Sequence, residues 1–529
     1  MYWTKHSKLD TFKMLFKQIG GLQIILGFLM ELPMIVSLIY GEYNSAIGFF
    51  VSSLICITLG LSLYKGIKSN QEPLNRHALI IASLGWLFIA IMGAVPFLII
   101  AYITPYDIAQ LFVPSGADYN SSLVFFKNPL HAVFESMSAY TTTGLTMAVH
   151  EPSIGKGLLF YRSFAQWIGG AGFIVLALAI LSQSSGRTAL FLYGSESSGE
   201  RLKPTVIETA RSIWKIYLGI TLFSFIYLVI GTYIILPGYD FGENLFDSIN
   251  HAMNGQSTGG FSTLDDSIAG YNSKAMEMLY LLPMILGALS LPFYFKVIHQ
   301  RKISLFWENL QTRSIIIFCF LGSIILSLML LYSKVVSEPF RTGIFQFVSA
   351  LTTTGWQTSD VHQWDSASVF FIVMAAMVVG GAAGATVGGI KIIRVLLIFK
   401  GLFWHLNKFF TSESSINVVE FNDRRLLPDE MNKELASAST YSFIYLLFLL
   451  ISTIITYYCM GSGYTITDAL FESASAQGTV GLSCGITNPD MSAGLEITYI
   501  IQMWAGRLEI IPILVLIRTI ILGTKPVVV

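Results

Sequence analysis

The sequence predicts an all-α polytopic membrane protein: four pseudo-repeated membrane-pore-membrane units around a central pore, plus two N-terminal transmembrane helices. Three observations predict it. Charged residues make up 12% of the 529 and hydrophobic ones 53%, with a mean hydropathy of +0.64, against roughly a quarter charged in a soluble domain. A hydroxyl-bearing stretch ending in glycine occurs four times between long apolar segments. Lys and Arg gather in alternate connectors, which sets an orientation across the bilayer.

Taken in order, Lys5, Lys8, Lys13 and Lys17 precede an apolar run at 22–40, long enough to span roughly 30 Å of hydrocarbon as a helix. A secretory signal would have a shorter core and a small-residue cleavage site; neither is evident, so a retained span is expected. Further spans are predicted at 46–64 and 78–102, and then at 158–181 after the first glycine motif. The second unit places spans at 214–236 and 276–295 around its motif, and the third at 315–332 and 369–399. The fourth has 441–460 and 497–522. The organisation is two N-terminal helices in 1–70, then pore repeats in 71–200, 201–305, 306–410 (with a glycine-rich loop) and 411–529. Of the 32 Lys and Arg, 25 fall in the N-terminal segment and the alternate connectors that share its side, so both termini are expected to be cytoplasmic and all four motifs on the outer side. Among the seven others are Arg162 and Arg507. The half-span before each motif is too short to cross. It should enter from outside and return, as irregular backbone does only where it is buried in protein or lines water.

The four stretches are Thr141-Thr142-Thr143-Gly144, Gln256-Ser257-Thr258-Gly259, Thr352-Thr353-Thr354-Gly355 and Gly478-Thr479-Val480-Gly481. With the glycines superposed, Phe134, Ile249, Phe345 and Phe471 stand ten residues earlier, and Glu135, Asn250, Gln346 and Glu472 nine earlier. Thr142, Ser257, Thr353 and Thr479 place a hydroxyl two before each glycine. Such self-similarity marks repeated structural units. Glycine lets neighbouring carbonyls face one direction without a clashing Cβ, and four such segments around an axis make a cage of oxygens. Backbone carbonyls, supplemented by Thr and Ser hydroxyls, replace the water around a dehydrating cation, and the negative C-terminal end of a short helix favours that cation. The candidate potassium-binding residues are Thr142, Thr143, Gly144, Ser257, Thr258, Gly259, Thr353, Thr354, Gly355, Thr479, Val480 and Gly481, with no other metal expected. A single Thr-Gly pair would more simply reflect tight helix packing. Glu135 and Glu472 could form a cation-binding ring with Asn250 and Gln346, or brace the filter from behind; a buried carboxylate needs a donor, which favours bracing.

Other classes find little support. Net charge is zero, and no nucleic acid partner is implied. Cys56, Cys319, Cys459 and Cys484 lack paired spacing, and His131 and His251 lack metal spacing. A membrane enzyme would need clustered carboxylates or histidines at one face, whereas the outer loops hold scattered acids such as Asp118, Asp265 and Asp266. No phosphate loop or dinucleotide fingerprint occurs, so no cofactor is expected on this chain. The connectors 182–215 and 400–436 are either docking surfaces or plain solvated loops.

These residues resemble the Trk/Ktr/HKT superfamily of potassium transporters, and its TrkH branch in particular. The likeness covers nearly the whole chain. It rests on TTTGLT, STGGFST, TTTGW and TVGLS at the four motifs, on QWIGGAGFIVLALAIL, on GGAAGATVGGIKIIR and on MWAGRLEIIPILVLI. The two extra N-terminal spans are similar to those of TrkH rather than KtrB. The resemblance implies potassium uptake across the cytoplasmic (inner) membrane, a homodimer with a pore in each protomer, and a cytosolic TrkA-like regulatory subunit carrying the nucleotide. It favours potassium over a sodium-permeable variant, because sodium-passing relatives carry serine at the position of Gly144.

Two features bear on gating. The cluster Gly380, Gly381, Gly384, Gly388 and Gly389 interrupts a span. It permits close helix packing through small residues or a broken helix of the kind that marks transport sites. By resemblance it is the intramembrane gating loop, with Lys391 and Arg394 at its cytoplasmic exit. Arg507 lies inside the last span, where a charge faces a cavity or a partner. It either pairs with a carboxylate such as Glu509, or snorkels, or, as the resemblance implies, borders the pore as a barrier beside the loop.

Overall fold

Backbone N–H and C=O groups in a bilayer must be satisfied within the chain, and the result here is helices joined by short turns. The computed structural model describes residues 8–67, 75–172, 175, 203, 205–364, 367–411, 418–422 and 424–523. Among these, six helices are long and apolar enough to cross a membrane: Phe12–Ile39, Tyr43–Gly66, His77–Ile103, Val206–Ile235, Leu310–Ser333 and Pro428–Cys459. The chain is a multi-pass membrane protein. Side chains such as Phe223, Phe320 and Leu450 point outward from these helices, as suits surfaces that face lipid.

The first two helices cross through Gly20 and Gly60, where a Cβ on either would lie 2.8 Å from the other's carbonyl oxygen. Small residues of this kind let membrane helices approach closely. Their connecting turn carries Glu42, whose carboxylate accepts the N–H groups of Lys156 (2.6 Å) and Gly157 (3.0 Å) at the start of helix Lys156–Ala171. An anion at a helix N-terminus is stabilised by the helix dipole. The N-terminal pair, to which sequence reasoning assigns no role, is thereby tied to the first unit.

Each of the remaining four long helices leads into a short one: Pro129–Tyr140, Phe241–Ser257, Pro339–Leu351 and Ile466–Gly478. None spans a bilayer at 1.5 Å per residue. Second helices then follow, and here the structure departs from expectation. The sequence places a break only in the third, yet all four stop part-way. Lys156–Ala171 ends at Gly172 with φ +94°, and most of the remainder of the expected span at 158–181 lies outside the described residues. Lys274–Ala288 turns by 92° into Leu291–Gln300. Ala367–Val378 is separated from Ile392–Lys408 by the glycine cluster. Ala493–Arg507 breaks before Ile511–Leu522, with Glu509 at φ +59° and Ile510 at φ +63°. Continuous hydropathy across 276–295 and 497–522 hides these breaks, because a kink inside the protein leaves apolar side chains apolar.

Of the polar connectors, 412–417 and most of 182–205 fall outside the described residues. The described part of the second contains a hairpin, Val419–Phe421 paired antiparallel with Arg424–Leu426.

Candidate functional site

The four short helices converge, and each ends the same way. Asn128, Asp240 and Thr465 cap three of their N-termini by accepting backbone N–H groups. At the other end the chain swings into the left-handed region at Thr142 (φ +59°), Thr258 (+53°), Thr353 (+53°) and Thr479 (+49°). For a β-branched residue this is an outlier, costing roughly 1–2 kcal/mol each, and strain of this kind concentrates at functional sites. The turn is held by one repeated hydrogen bond: the N–H of Thr143, Gly259, Thr354 and Val480 donates to the carbonyl five residues back, at Ser138, Asn254, Ser349 and Ser475, over 2.9–3.0 Å.

Two residues after each strained threonine stands a glycine with positive φ: Gly144, Gly260, Gly355 and Gly481. This corrects the register in the second quarter. Gly260, not Gly259, is the counterpart of the other three, and Thr258, not Ser257, is the counterpart of Thr142; Ser257 still belongs to the helix. In the slot nine residues before the glycine, His251 replaces Asn250. Two adjacent glycines make the sequence ambiguous at this point, and only the backbone angle decides which one fills the turn.

These glycines close a ring. A Cβ built on Gly144 would fall within 2.5 Å of the Gly259 carbonyl oxygen; one on Gly260 would strike that of Thr354, one on Gly355 that of Val480, and one on Gly481 that of Thr143. Each quarter thus abuts the next, in the order first to second to third to fourth and back to first. The four carbonyls nearest the seam belong to Thr143, Gly259, Thr354 and Val480.

Side chains behind the ring fix the segments that leave it. Glu135 is fully buried and accepts hydrogen bonds from the Thr146 hydroxyl (3.0 Å) and the Met147 N–H (2.8 Å). Glu472 does the same for Ser483 (2.8 Å) and Cys484 N–H (2.9 Å), and His251 reaches the Ser262 hydroxyl at 3.1 Å. Bracing is therefore the geometry at Glu135, His251 and Glu472, whereas the amide of Gln346 in the third quarter makes no hydrogen bond among the described residues. Glu135 also meets Arg162, wholly buried, at 2.6 Å, and the guanidinium stacks 4.0 Å from the Phe261 ring. Arg162 obeys the same rule that singles out Arg507, a charge inside an apolar helix, and sequence reasoning only counted it among the seven cations off the cytoplasmic side.

The glycine-rich loop lies against the other side of the ring. A two-residue parallel ladder, Val379 with Ile390 and Gly380 with Lys391, pinches it off. Gly381 accepts the Ile392 N–H (3.1 Å), Gly384 accepts the Leu291 N–H (3.0 Å), and Gly389 adopts φ +67°. The buried Lys391 ammonium donates to the Val387 carbonyl. The loop and Arg507 meet the strained threonines in turn: the Thr386 hydroxyl contacts that of Thr258 at 3.1 Å, the Gly388 N–H donates to Thr353 at 3.3 Å, and a Cβ on Gly388 would collide with the Thr479 hydroxyl. Arg507 reaches Thr142 at 3.4 Å and donates to the carbonyls of Thr386, Gly169 and Gly170. Glu509, one of the alternatives offered as a partner for Arg507, pairs with Arg394 at 2.6 Å. Thr386, the one hydroxyl within GGAAGATVGG, was the missed signal.

Two cavities flank the ring. One of about 600 Å³ is lined by all four positive-φ glycines and by Glu151, Asp265, Asp266 and Asp360; the other, of about 460 Å³, by Gly384, Lys391, Arg394, Arg507 and Glu509. An acidic mouth and a mainly basic one face each other across a seam of carbonyls.

A model of the TrkH family, described as a cation transport protein, matches residues 110–523. The chain belongs to the TrkH family. It is 32% identical over 507 residues to an uncharacterised cation transporter, MJ1485, of Methanocaldococcus jannaschii, covering 96% of this chain and 95% of that one. It is 26% identical over 520 residues to the Trk system potassium uptake protein TrkH of Escherichia coli K12, covering 96% and 98%. Among solved structures, the potassium transporter TrkH from Vibrio parahaemolyticus superposes with a TM-score of 0.77 at 25% identity, covering 96% of this chain and 98% of that one.

Within this family member the Glu135–Arg162 pair gives a direct test of bracing. Removing one partner of a buried ion pair leaves an uncompensated charge and costs about 3–5 kcal/mol. Arg162→Met should therefore lower the thermal midpoint of the detergent-solubilised protein sharply, and adding Glu135→Gln should recover part of the loss. Additive losses in the double variant would show that the two side chains do not act as a pair.

Proposed function

We propose that this protein takes up potassium through the ring, which acts as a selectivity filter, and that the glycine-rich loop with Arg507 is its gate. The closed seam of four carbonyls at Thr143, Gly259, Thr354 and Val480 carries the reading. A cation that sheds water must find oxygens to replace it, and carbonyl dipoles on a rigid backbone supply them without a charged ligand that would hold the ion too long. The four short helices direct their negative ends at the same place. On this reading the acidic cavity is the outer mouth, where it concentrates cations, and a negative potential inside draws them through.

Below the filter, Arg507 and the loop occupy the path. A guanidinium repels an arriving cation, and Thr386 and Gly388 engage the threonines that the ion would reach next. Opening requires the loop to leave. Helix Ile392–Lys408, which begins at the loop, is the natural lever, and a cytosolic nucleotide-binding subunit bearing on the cytoplasmic connectors would move it. The proposed assembly is a homodimer in the cytoplasmic membrane with one pore per chain; family resemblance supports this part.

The decisive measurement is cation flux in proteoliposomes, with potassium and sodium compared. Gly144→Ser places a Cβ against the Gly259 carbonyl at a backbone angle that only glycine adopts freely, and the potassium-to-sodium permeability ratio should fall about tenfold, equivalent to about 1.4 kcal/mol. An unchanged ratio would count against the filter.

Arg507→Gln should raise potassium leak in the absence of any cytosolic subunit, because the barrier is electrostatic and glutamine removes the charge while leaving a polar side chain. If the variant stays as closed as the parent, the gate lies elsewhere.

External pH supplies another measurement. Burial raises Glu151, in the short turn Glu151–Ile154 at the mouth, to about 8 against the opposing pull of Arg162. The carboxyl is neutral below that pH and negative above it, so its charge joins the mouth as pH rises through about 8. At low ionic strength the apparent KM for potassium should fall about twofold between pH 7 and 9, within the range of surface-charge steering, and Glu151→Gln should abolish the change.

A further inference from the structure

The ring is not chemically uniform. Three of its seam residues carry side chains, Thr143, Thr354 and Val480, and the second carries none, Gly259. The backbone does not require that glycine, because Gly259 lies outside the left-handed region. Space does. A Cβ at Gly259 would meet the amide carbon of Gln166 at 2.5 Å and its Cβ at 3.0 Å. Gln166 comes from the second helix of the first unit, is fully buried, and fills the volume that a side chain at 259 would take.

Its amide makes two bonds of opposite polarity. The Nε2 group donates to the Gly259 carbonyl, and Oε1 accepts the N–H of Phe261 at 3.2 Å. A carbonyl can only accept and an N–H can only donate, so these partners fix which end of the amide faces which. Among the described residues, Gly259 is the one seam carbonyl that meets a side-chain donor. The same position in the second and fourth units holds no such group. Gly169, Gly287 and Gly506 each lie against carbonyls near the end of a short helix, at Tyr140, Gly255 and Gln477, and three residues before them stand Gln166, Met284 and Met503. Methionine has similar length and no donor.

We propose that Gln166 is a selectivity-determining positioning residue, which holds the Gly259 carbonyl of the ring at a fixed distance from the axis and occupies part of its acceptor capacity. The inference rests on the reading of the ring as a potassium filter and goes beyond it. A carbonyl free to swing can close around a smaller ion, whereas one tethered through both its own oxygen and the N–H of Phe261 cannot. A donor at the oxygen also competes with the ion, which weakens that ligand most toward a small cation of high field strength. Gln166 touches the filter backbone and not the ion, and its signature is therefore the ratio between ions more than the rate for one.

The test uses the full chain in proteoliposomes, with potassium and sodium permeabilities measured for the parent, Gln166→Met, Gln166→Glu and Gly144→Ser. Gln166→Met copies the residue found in two other units and removes both bonds at similar volume. Gln166→Glu preserves shape and the bond from Phe261 N–H but, once ionised, sets an oxygen without a donor hydrogen against the Gly259 carbonyl, so measured at high pH it tests the idea even if the methionine variant does not assemble. Both should lower the potassium-to-sodium ratio about fivefold, the factor matching one neutral hydrogen bond, with potassium flux retained. Loss of flux at an unchanged ratio would make Gln166 a packing residue and overturn the proposal. An unchanged ratio in both Gln166 variants while Gly144→Ser shifts it would overturn the proposal and leave the filter standing. An unchanged ratio in all three would remove the filter and this proposal together.

Discussion

Everything around the ring follows from one steric fact: four backbone segments approach so closely that no Cβ fits between a glycine of one quarter and a carbonyl of the next. The contact is possible only with φ positive at Gly144, Gly260, Gly355 and Gly481. It forces the preceding threonines into the left-handed region at roughly 1–2 kcal/mol apiece. Strain on that scale survives where the surroundings over-determine it. Here the surroundings are the repeated hydrogen bond to the carbonyl five residues back and the braces at Glu135, His251 and Glu472. The short helices are consequences of the same requirement, since they deliver four turns to one axis.

The fold and the four turns were legible in the sequence because both depend on local pattern. Apolar runs of the right length and a Thr-Gly stretch repeated four times need no tertiary information. What was not legible depends on partners distant in the chain. The register of the second quarter could not be settled between Gly259 and Gly260, as each has a hydroxyl two residues before it, and the backbone angle that decides it appears only in the folded ring. Arg162 looked like one of seven stray cations until Glu135 and Phe261 closed around it. The breaks in the second and fourth inner helices were invisible for a different reason: Ser290 and Glu509 interrupt the helix and not the hydropathy.

Fourfold repetition also hides how unlike the quarters are. The slot behind the ring holds two glutamates, one histidine and Gln346, and among the described residues only the first glutamate has an arginine at its side. The seam itself holds two threonines, a valine and a glycine backed by Gln166. A single chain can vary each quarter independently, which a symmetric assembly of identical subunits cannot do. On the proposed reading as a filter, selectivity in such a ring would be a property of unequal ligands.

The breaks in the inner helices bear on how a loop in one unit can respond to force applied at another. A continuous helix would transmit a displacement along its axis and shift the ring. One broken at the level of the loop can move below the break while its upper half stays packed behind the ring. The third and fourth units carry this furthest. Arg394, three residues past the loop's ladder, pairs with Glu509 at 2.6 Å and lies 4.0 Å from the Tyr441 ring, so the lever helix is clamped to the break that follows Arg507. Ile510 holds a β-branched side chain at φ +63° there, a conformation that costs free energy and relaxes once the clamp lets go. In the proposed mechanism a pull on Ile392–Lys408 therefore acts on the loop and on Arg507 together. On that proposal the two barriers beneath the ring, linked by one salt bridge, would open as a unit.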